Sequence, residues 1–381
     1  MGAIGFPKFE FSKKQVSRAG DALREAIVWA PDAEDDVREI FKIANSWRDS
    51  HLYPMAVMRR ALIGHLARAK VKGLTAARIK RMPSIRKKLR KRPIKLDDIQ
   101  DLAGCRAILN SIEDVNSLIQ QISLTFPHRA TRPDDYIAAP KKDGYRSYHI
   151  VFRFTAGADP DAAIFEGRKV EVQIRTRIQH AWATAVEAVG LFLGEDIKGG
   201  GGKPEWRRLF LLMSAELAVM EACNEPPDVS VGKDRIREIK RLNKDLKASY
   251  TLDKIAHAVN FIDEYIRSPS FQPEYYLIIY DNDLDEVAVS PMSGPFEGAA
   301  SFDVAEHRAR YTTVLVEADK IKSLKEAYPN YFGDVRLFRR VLRHICKGKA
   351  VKDFKLAPQK TVKIPPKEKP DMSWMRRSAP R

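Results

Sequence analysis

The sequence predicts a mixed α/β protein of the α+β kind: a mixed β-sheet flanked by helices, with a smaller α+β region after it. Three observations carry this. Between residues 102 and 176 the runs LAGCRAIL, RSYHIVFRF and KVEVQIRT are rich in β-branched and aromatic residues and punctuated by Gly, Pro and Asp. On both sides of them, apolar residues recur at helical spacing. After residue 269 a hairpin pattern appears, with strand-like runs around the turn DNDLD and another at YTTVLVEAD. At 381 residues and 44% hydrophobic composition, the chain is long enough for two or three domains with real cores.

Taken in order, Ser12 and Gln15 form a capping box, and Val16, Ala19, Leu23 and Ile27 follow at helical spacing. Helix continues through FKIANSWRDSHLYPMAVMRRALIGHLARA. Pro83 opens a helical turn that puts Ser84 and Lys88 on one face. Strand character begins at Leu102, EDVNSLIQQI is a helix, and the strands of RSYHIVFRF and KVEVQIRT lead into the helix RIQHAWATAVEAVGLF. GGGGKP at 199–204 is not a phosphate-binding P-loop: Ile197 stands where the first glycine belongs, and Pro204 replaces the Ser or Thr that reaches magnesium. It reads as a flexible connector. The Met and Leu stripe of WRRLFLLMSAELAVMEAC reads as core packing. DRIREIKRLNKDLKA is a charged helix, and SLKEAYPNYFGDVRLFRRVLRHI closes the second region. The expected division is 1–65 helical, 66–225 the mixed-sheet core, 226–268 helical linker, 269–346 a small α+β domain, and 347–381 a basic disordered tail.

Charge bounds the function. Lys and Arg number 67 against 50 Asp and Glu, a net +17, which favours polyanionic partners such as nucleic acid or nucleotides. The tail, with eleven Lys or Arg against three acids, supplies +8 of it. Cys105, Cys223 and Cys346 are too dispersed for a zinc knuckle or a disulfide framework, so no zinc and a reducing cytoplasm are expected. No apolar stretch is long enough for a signal peptide core or a membrane span.

The sharpest feature is residues 78–95, where ten of eighteen positions are Lys or Arg and none is acidic. This run supplies Arg78, Lys80, Ser84 and Lys88; the next segment supplies Asp101 and Arg106; DYIAAPKKDGYRSYHIVF precedes a strand with Glu171, Gln173 and Arg175. A triphosphate needs several fixed cations, and Arg adds a planar face for stacking. Magnesium takes hard oxygen ligands and keeps waters, so Asp101 and Glu171 on neighbouring strands would suffice. Gly144 would permit a tight turn presenting Tyr145 to a base. Lys87, Arg90, Lys91 and Arg92 read as solvated, Cys105 as core filler and His180 as a satisfied helix residue.

These motifs resemble the synthetase domain of the RelA/SpoT alarmone family, which has a nucleotidyltransferase-like fold. RxKxxxSxxxK falls at Arg78, Lys80, Ser84 and Lys88, DLxxxR at Asp101 to Arg106, DYIxxPKxxGYxSxH at Asp135 to His149, and EVQIRT at Glu171 to Thr176. The resemblance implies a pyrophosphokinase that transfers the β,γ-pyrophosphate of ATP to a ribose 3′-hydroxyl. By that likeness Arg78 and Arg106 sandwich adenine, Lys80, Ser84 and Lys88 hold phosphates, and Asp101 with Glu171 binds Mg2+. Glu171 also helps deprotonate the acceptor, Tyr145 stacks on its base, and His149, Lys141, Gln173 and Arg175 complete the acceptor side. Asp134 and Asp143 stand where long family members have Lys and Asn, placing negative charge where a GDP or GTP diphosphate would lie. No His-Asp dipeptide is present, so the family's hydrolase half is not expected.

Tyr328 and Tyr331, a YxxY pair in YPNYFGDVRLF, resemble the antitoxin-like domain of CapRel proteins, fused toxin–antitoxin members of this family. That implies an autoinhibitory tyrosine in the adenine site, release by a phage protein, and the 3′-CCA end of tRNA as acceptor. Packing at a helix start is the plainer role for these tyrosines. An alarmone synthetase using GDP or GTP and a catalytically silent RNA-binding regulator are the alternatives.

Overall fold

The computed structural model describes residues 5–25, 34–255, 275–281, 286–292, 311–317 and 331–349. Three helices come first: α1 (Lys13–Ala22), α2 (Glu34–Asp49) and α3 (Leu52–Arg68). The capping box at α1 is present, with the Ser12 hydroxyl accepting from the Gln15 amide and the Gln15 side chain accepting from the Ser12 amide. Ile27 lies outside the described residues. The helical stretch expected from residue 41 onward is helical, divided between α2 and α3. Ser50 and His51 turn their side chains back onto the Trp47 carbonyl at 2.7 and 2.9 Å, and Pro54 falls in the first turn of α3, where its missing N–H costs nothing.

One six-stranded sheet organises the rest: β1 (Gly73–Ile79), β2 (Ala103–Leu109), β3 (Arg129–Ala130), β4 (Asp134–Asp135), β5 (Tyr148–Arg153) and β6 (Lys169–Thr176). The order is β1-β2-β6-β5-β3, with β4 also on β5; β2 and β6 are parallel and the other pairs antiparallel. Strand β1 was not legible beforehand. Its Ala and Arg content hides any alternation, and pairing from Gly73 opposite Leu109 to Ile79 opposite Ala103 makes it a strand. Asp101, expected on a strand, sits in the turn just before β2.

Two cores result. One face of the sheet, with Cys105, Ala107, Ile150, Phe152, Val172 and Ile174, packs on Met58 and Leu62 of α3 and on Val115, Leu118 and Ile122 of α5 (Ile112–Thr125). The second joins α1 and α2 to α4 (Met82–Lys91) through Val16, Leu23, Trp47, Ile85, Leu89 and Leu102. From Arg86 on, every residue of α4 except Leu89 is a Lys or Arg. Ile85 and Leu89, fully buried and one turn apart, dock it, each contributing roughly 2 kcal/mol.

Helices α6 (Arg177–Phe192), α7 (Pro204–Met220) and α8 (Gly232–Asp245) follow. The glycine run between α6 and α7 is a connector, but a folded one: Gly201 N–H donates to the Asp196 carbonyl at 2.9 Å and Lys203 N–H to Glu195 Oε2 at 3.0 Å. A second, three-stranded antiparallel sheet has β7 (Tyr275–Asp281) between β8 (Glu286–Met292) and β9 (Tyr311–Glu317). The expected hairpin is there, with Asp281 opposite Glu286. Helix α9 (Tyr331–Cys346) packs on α6 and α8, burying Val335, Phe338, Val341 and Leu342, with the Phe338 ring 5.6 Å from Phe210.

Candidate functional site

Residues directly opposite one another in a sheet project to the same face. Arg78 lies opposite Gly104, and Gly104 opposite Glu171; Arg106 lies opposite Gln173, Gln173 opposite His149, and His149 opposite Asp134. The register therefore gathers Arg78, Arg106, Glu171, Gln173 and His149 on the face away from the main core. Gly104 leaves that face open at its centre: a Cβ there would meet nothing nearer than 3.8 Å.

At one end, Asp101 receives two ammonium groups. Lys80 Nζ, just beyond β1, lies 2.7 Å from Oδ2, and Lys88 Nζ, from α4, lies 2.8 Å from Oδ1. Burial by itself would raise the Asp101 carboxyl, but the two lysines overcome it and hold it at about 2. Lys80 moves the other way. Burial pulls its ammonium below the ordinary lysine value, Asp101 opposes this, and Lys88 and Arg78 add to it. The two directions have different causes: burial dominates at Lys80, and the paired lysines dominate at Asp101. Two ammonium groups share one carboxylate, so the acid is well compensated, while Lys80 shares its partner with Lys88.

At the other end, Glu171 accepts from Gln173 Nε2 at 2.6 Å and pairs with His149 Nδ1 at 3.0 Å, while His149 Nε2 meets the Tyr145 hydroxyl at 2.8 Å. Burial would raise the Glu171 carboxyl; the His149 contact outweighs it and the group ends below the usual range. Tyr136, which the sequence did not single out, joins this cluster. Its ring centroid is 5.4 Å from that of His149 and 6.2 Å from that of Tyr145, and Lys141 Nζ sits 4.0 Å over it and 5.2 Å over Tyr145. Burial lowers the Lys141 ammonium, partly offset by Asp143 and Asp134. Gly144 has φ +91, the conformation the tight turn before Tyr145 required. The Asp143 carboxylate accepts from the Tyr145 amide at 2.9 Å, so it shapes this turn as well as charging it.

Arg106 reaches Gln173 Oε1 at 3.4 Å, linking the two ends, and half-buried Ser84 lies one turn before Lys88 on α4. Arg175 has the parity of Glu171 and Gln173 but lies where that face is covered. It is 1% exposed, its guanidinium meets the His180 ring, and burial followed by that guanidinium drives His180 well below its ordinary value. The cations expected to be solvated are exposed, and three of them also have surface partners: Lys87 and Lys91 pair with Asp196 at 2.7 and 3.0 Å, and Arg90 donates to the Arg24 and Glu25 carbonyls at 2.9 and 3.0 Å. Tyr331 is the first residue of α9, and Tyr328 lies outside the described residues.

Among the described residues, no group of three or more His, Cys, Asp or Glu side chains could hold a metal, and no helix is long and apolar enough to cross a membrane. Magnesium needs no such cage: one or two carboxylates, waters and substrate phosphates are its usual set, and Asp101 and Glu171 lie near enough for the Asp101 charge to push the Glu171 carboxyl upward, against the pull of His149.

Residues 77–190 match the model of the region found in RelA and SpoT proteins. The chain is 31% identical over 147 residues to the GTP pyrophosphokinase YjbM of Bacillus subtilis, covering 37% of this chain and 64% of that protein. It is 33% identical over 161 residues to the bifunctional (p)ppGpp synthase/hydrolase RelA of Mycobacterium tuberculosis, covering 42% of this chain and 20% of that one. Among solved structures, the small alarmone synthetase 1 of Bacillus subtilis bound to its product pppGpp aligns at 22% identity and TM-score 0.38, covering 45% of this chain and 89% of that one.

Proposed function

We propose, on the premise that residues 77–190 are a RelA/SpoT-type synthetase domain, that this protein is a pyrophosphokinase moving the β,γ-pyrophosphate of ATP to a ribose 3′-hydroxyl. One observation carries the reading: a cation-rich pocket around a single carboxylate and a hydrogen-bonded base cluster share one open sheet face. The charge left uncompensated at Lys80 is what an incoming phosphate supplies. In this reading Lys80, Ser84 and Lys88 bind the phosphates while Arg78 and Arg106 flank the adenine. The acceptor O3′ attacks the β-phosphorus, the bond from that phosphorus to the α-bridging oxygen breaks, AMP leaves, and the hydroxyl proton passes to Glu171. His149 orients the Glu171 carboxylate for this, and Tyr145 stacks on the acceptor base. Asp101 and Glu171 would hold Mg2+, which when bound supplies charge neutralisation to the phosphates.

For the acceptor we favour the 3′ end of tRNA, because Asp134 and Asp143 bring negative charge beside Lys141, where a free nucleotide would carry its diphosphate. GDP or GTP is the second reading, favoured by the names of the relatives, among them a GTP pyrophosphokinase and a (p)ppGpp synthase/hydrolase. Autoinhibition through Tyr328 or Tyr331, relieved by a phage protein, and the division of the chain into a synthetase core and a regulatory region after residue 269 belong to the tRNA reading. The packing of α9 on α6 supports a C-terminal part that bears on the synthetase. The test is transfer of label from γ-labelled ATP to deacylated tRNA, GDP or GTP, with the full chain and with the chain cut before residue 269. Label on tRNA alone upholds the first reading, label on guanosine nucleotides alone the second, and no transfer to any acceptor ends both.

A further inference from the structure

The loop carrying Tyr136, Lys141 and Tyr145 is gripped from behind at three points, all by side chains of α7 or the turn after it. Ser214 Oγ donates to the Gly144 carbonyl at 2.5 Å, Glu221 Oε2 accepts from Arg146 Nη1 at 2.8 Å, and Asn224 Nδ2 donates to the Ala138 carbonyl at 2.6 Å. Ser214 and Glu221 are seven residues apart, two turns of helix, and so lie along one side. Glu221 further accepts from Gln179 Nε2 at 3.3 Å and from the Thr176 hydroxyl, which ties the grip to the last residue of β6 and the first turn of α6. The Arg146–Glu221 pair is almost sealed, its side chains 2% and 6% exposed. An ion pair so deeply buried seldom adds stability over apolar packing, so its polar character calls for another reason. Gly144 supplies one. At φ +91 it passes so close to α7 that a Cβ would lie 2.9 Å from that of Ser214 and 3.3 Å from the Trp182 ring, leaving the turn before Tyr145 no room to relax.

We infer that α7 sets the position of the acceptor loop, with Ser214, Glu221 and Asn224 as positioning residues that hold the Tyr145 and Tyr136 rings where an acceptor base can stack. All three lie beyond residues 77–190, so the matched region depends on a helix outside it for half of its site. The inference rests on the acceptor assignment made above. Helix α7 also touches α9, through the Phe210 and Phe338 rings.

Ser214→Ala, Glu221→Gln and Asn224→Ala in the full chain test it with two readouts. Amide hydrogen exchange of residues 136–147 should speed up in each variant while residues 78–91 keep their protection. With ATP and the working acceptor, the acceptor KM should rise about tenfold for Glu221→Gln and less for the other two, with kcat and the KM for ATP little changed. Ser214→Ala removes a single hydroxyl and guards against loss of fold. If the wild-type chain transfers to no acceptor, the functional reading fails, and the exchange measurement still judges the grip. Unchanged exchange in all three variants, or KM values for ATP and acceptor that move together, would overturn it.

Discussion

The lysine–carboxylate end of the open face and its aromatic end are built from different forces. Around Asp101, Lys80 and Lys88 arrive from a strand end and a helix and are held by charge, at 2.7 and 2.8 Å, in a setting with more cations than acids. Around Tyr145, the contacts are ring packing and a hydrogen-bonded series from tyrosine through His149 to Glu171 and Gln173. Charge at contact distance is strong when half-buried and weakened by salt, whereas a packed aromatic cluster reads shape and ignores ionic strength. The first arrangement suits a flexible polyphosphate and the second a flat base.

The comparison breaks most sharply at the carboxylates. Asp101→Asn or Glu171→Gln should lower transfer about a thousandfold or more while leaving RNA affinity largely intact; turnover near the wild-type rate in either variant would refute the paired-carboxylate assignment. Next come the lysines. Lys80→Met and Lys88→Met should each weaken binding of a non-hydrolysable ATP analogue about tenfold to a hundredfold, with a shallower salt dependence than the wild type. Equal salt slopes in titration calorimetry would remove these side chains from phosphate contact.

Tyr145 sharpens the other half. Tyr145→Ala should raise the acceptor KM by about tenfold, the worth of one stacked base, and Tyr145→Phe, which keeps the ring and loses the His149 contact, should act on kcat instead. Identical effects of the two variants on KM would show that the ring is not a stacking surface. The smallest effect is on acid stability. Asp101 titrates at about 2 when folded, below its ordinary 3.8, so its stabilising share is full above about pH 4 and is lost as pH falls through about 2. That share is on the order of 2 kcal/mol. Urea unfolding across this range should show a steeper loss for the wild type than for Asp101→Asn; parallel curves would mean that the lysines do not hold the charge.

How much of this could be read in advance follows from the range of each interaction. The capping box at Ser12 and Gln15 acts across three residues, and the alternation in KVEVQIRT acts within one strand; both are written in consecutive letters. Tyr136 is the second residue of the DYI motif, and an aromatic two residues after Asp134 is the available signal for it. Strand β1 was hidden because GLTAARI has little β-propensity of its own and is a strand by virtue of a partner thirty residues on.

What the amino-acid sequence determined alone is therefore the inventory: a mixed α/β core, the order of four charged motifs, and the residue types able to meet phosphate, metal and base. Tertiary structure decided the pairings. Register put Arg78, Arg106, Glu171 and His149 on one face; burial sent Arg175 to His180 instead; and α7 brought Ser214, Glu221 and Asn224 to a loop some seventy or more residues earlier. The physical reason is that local propensity and periodicity are properties of neighbouring residues, whereas a buried charge or hydrogen bond is defined by whichever distant group the packed chain sets against it.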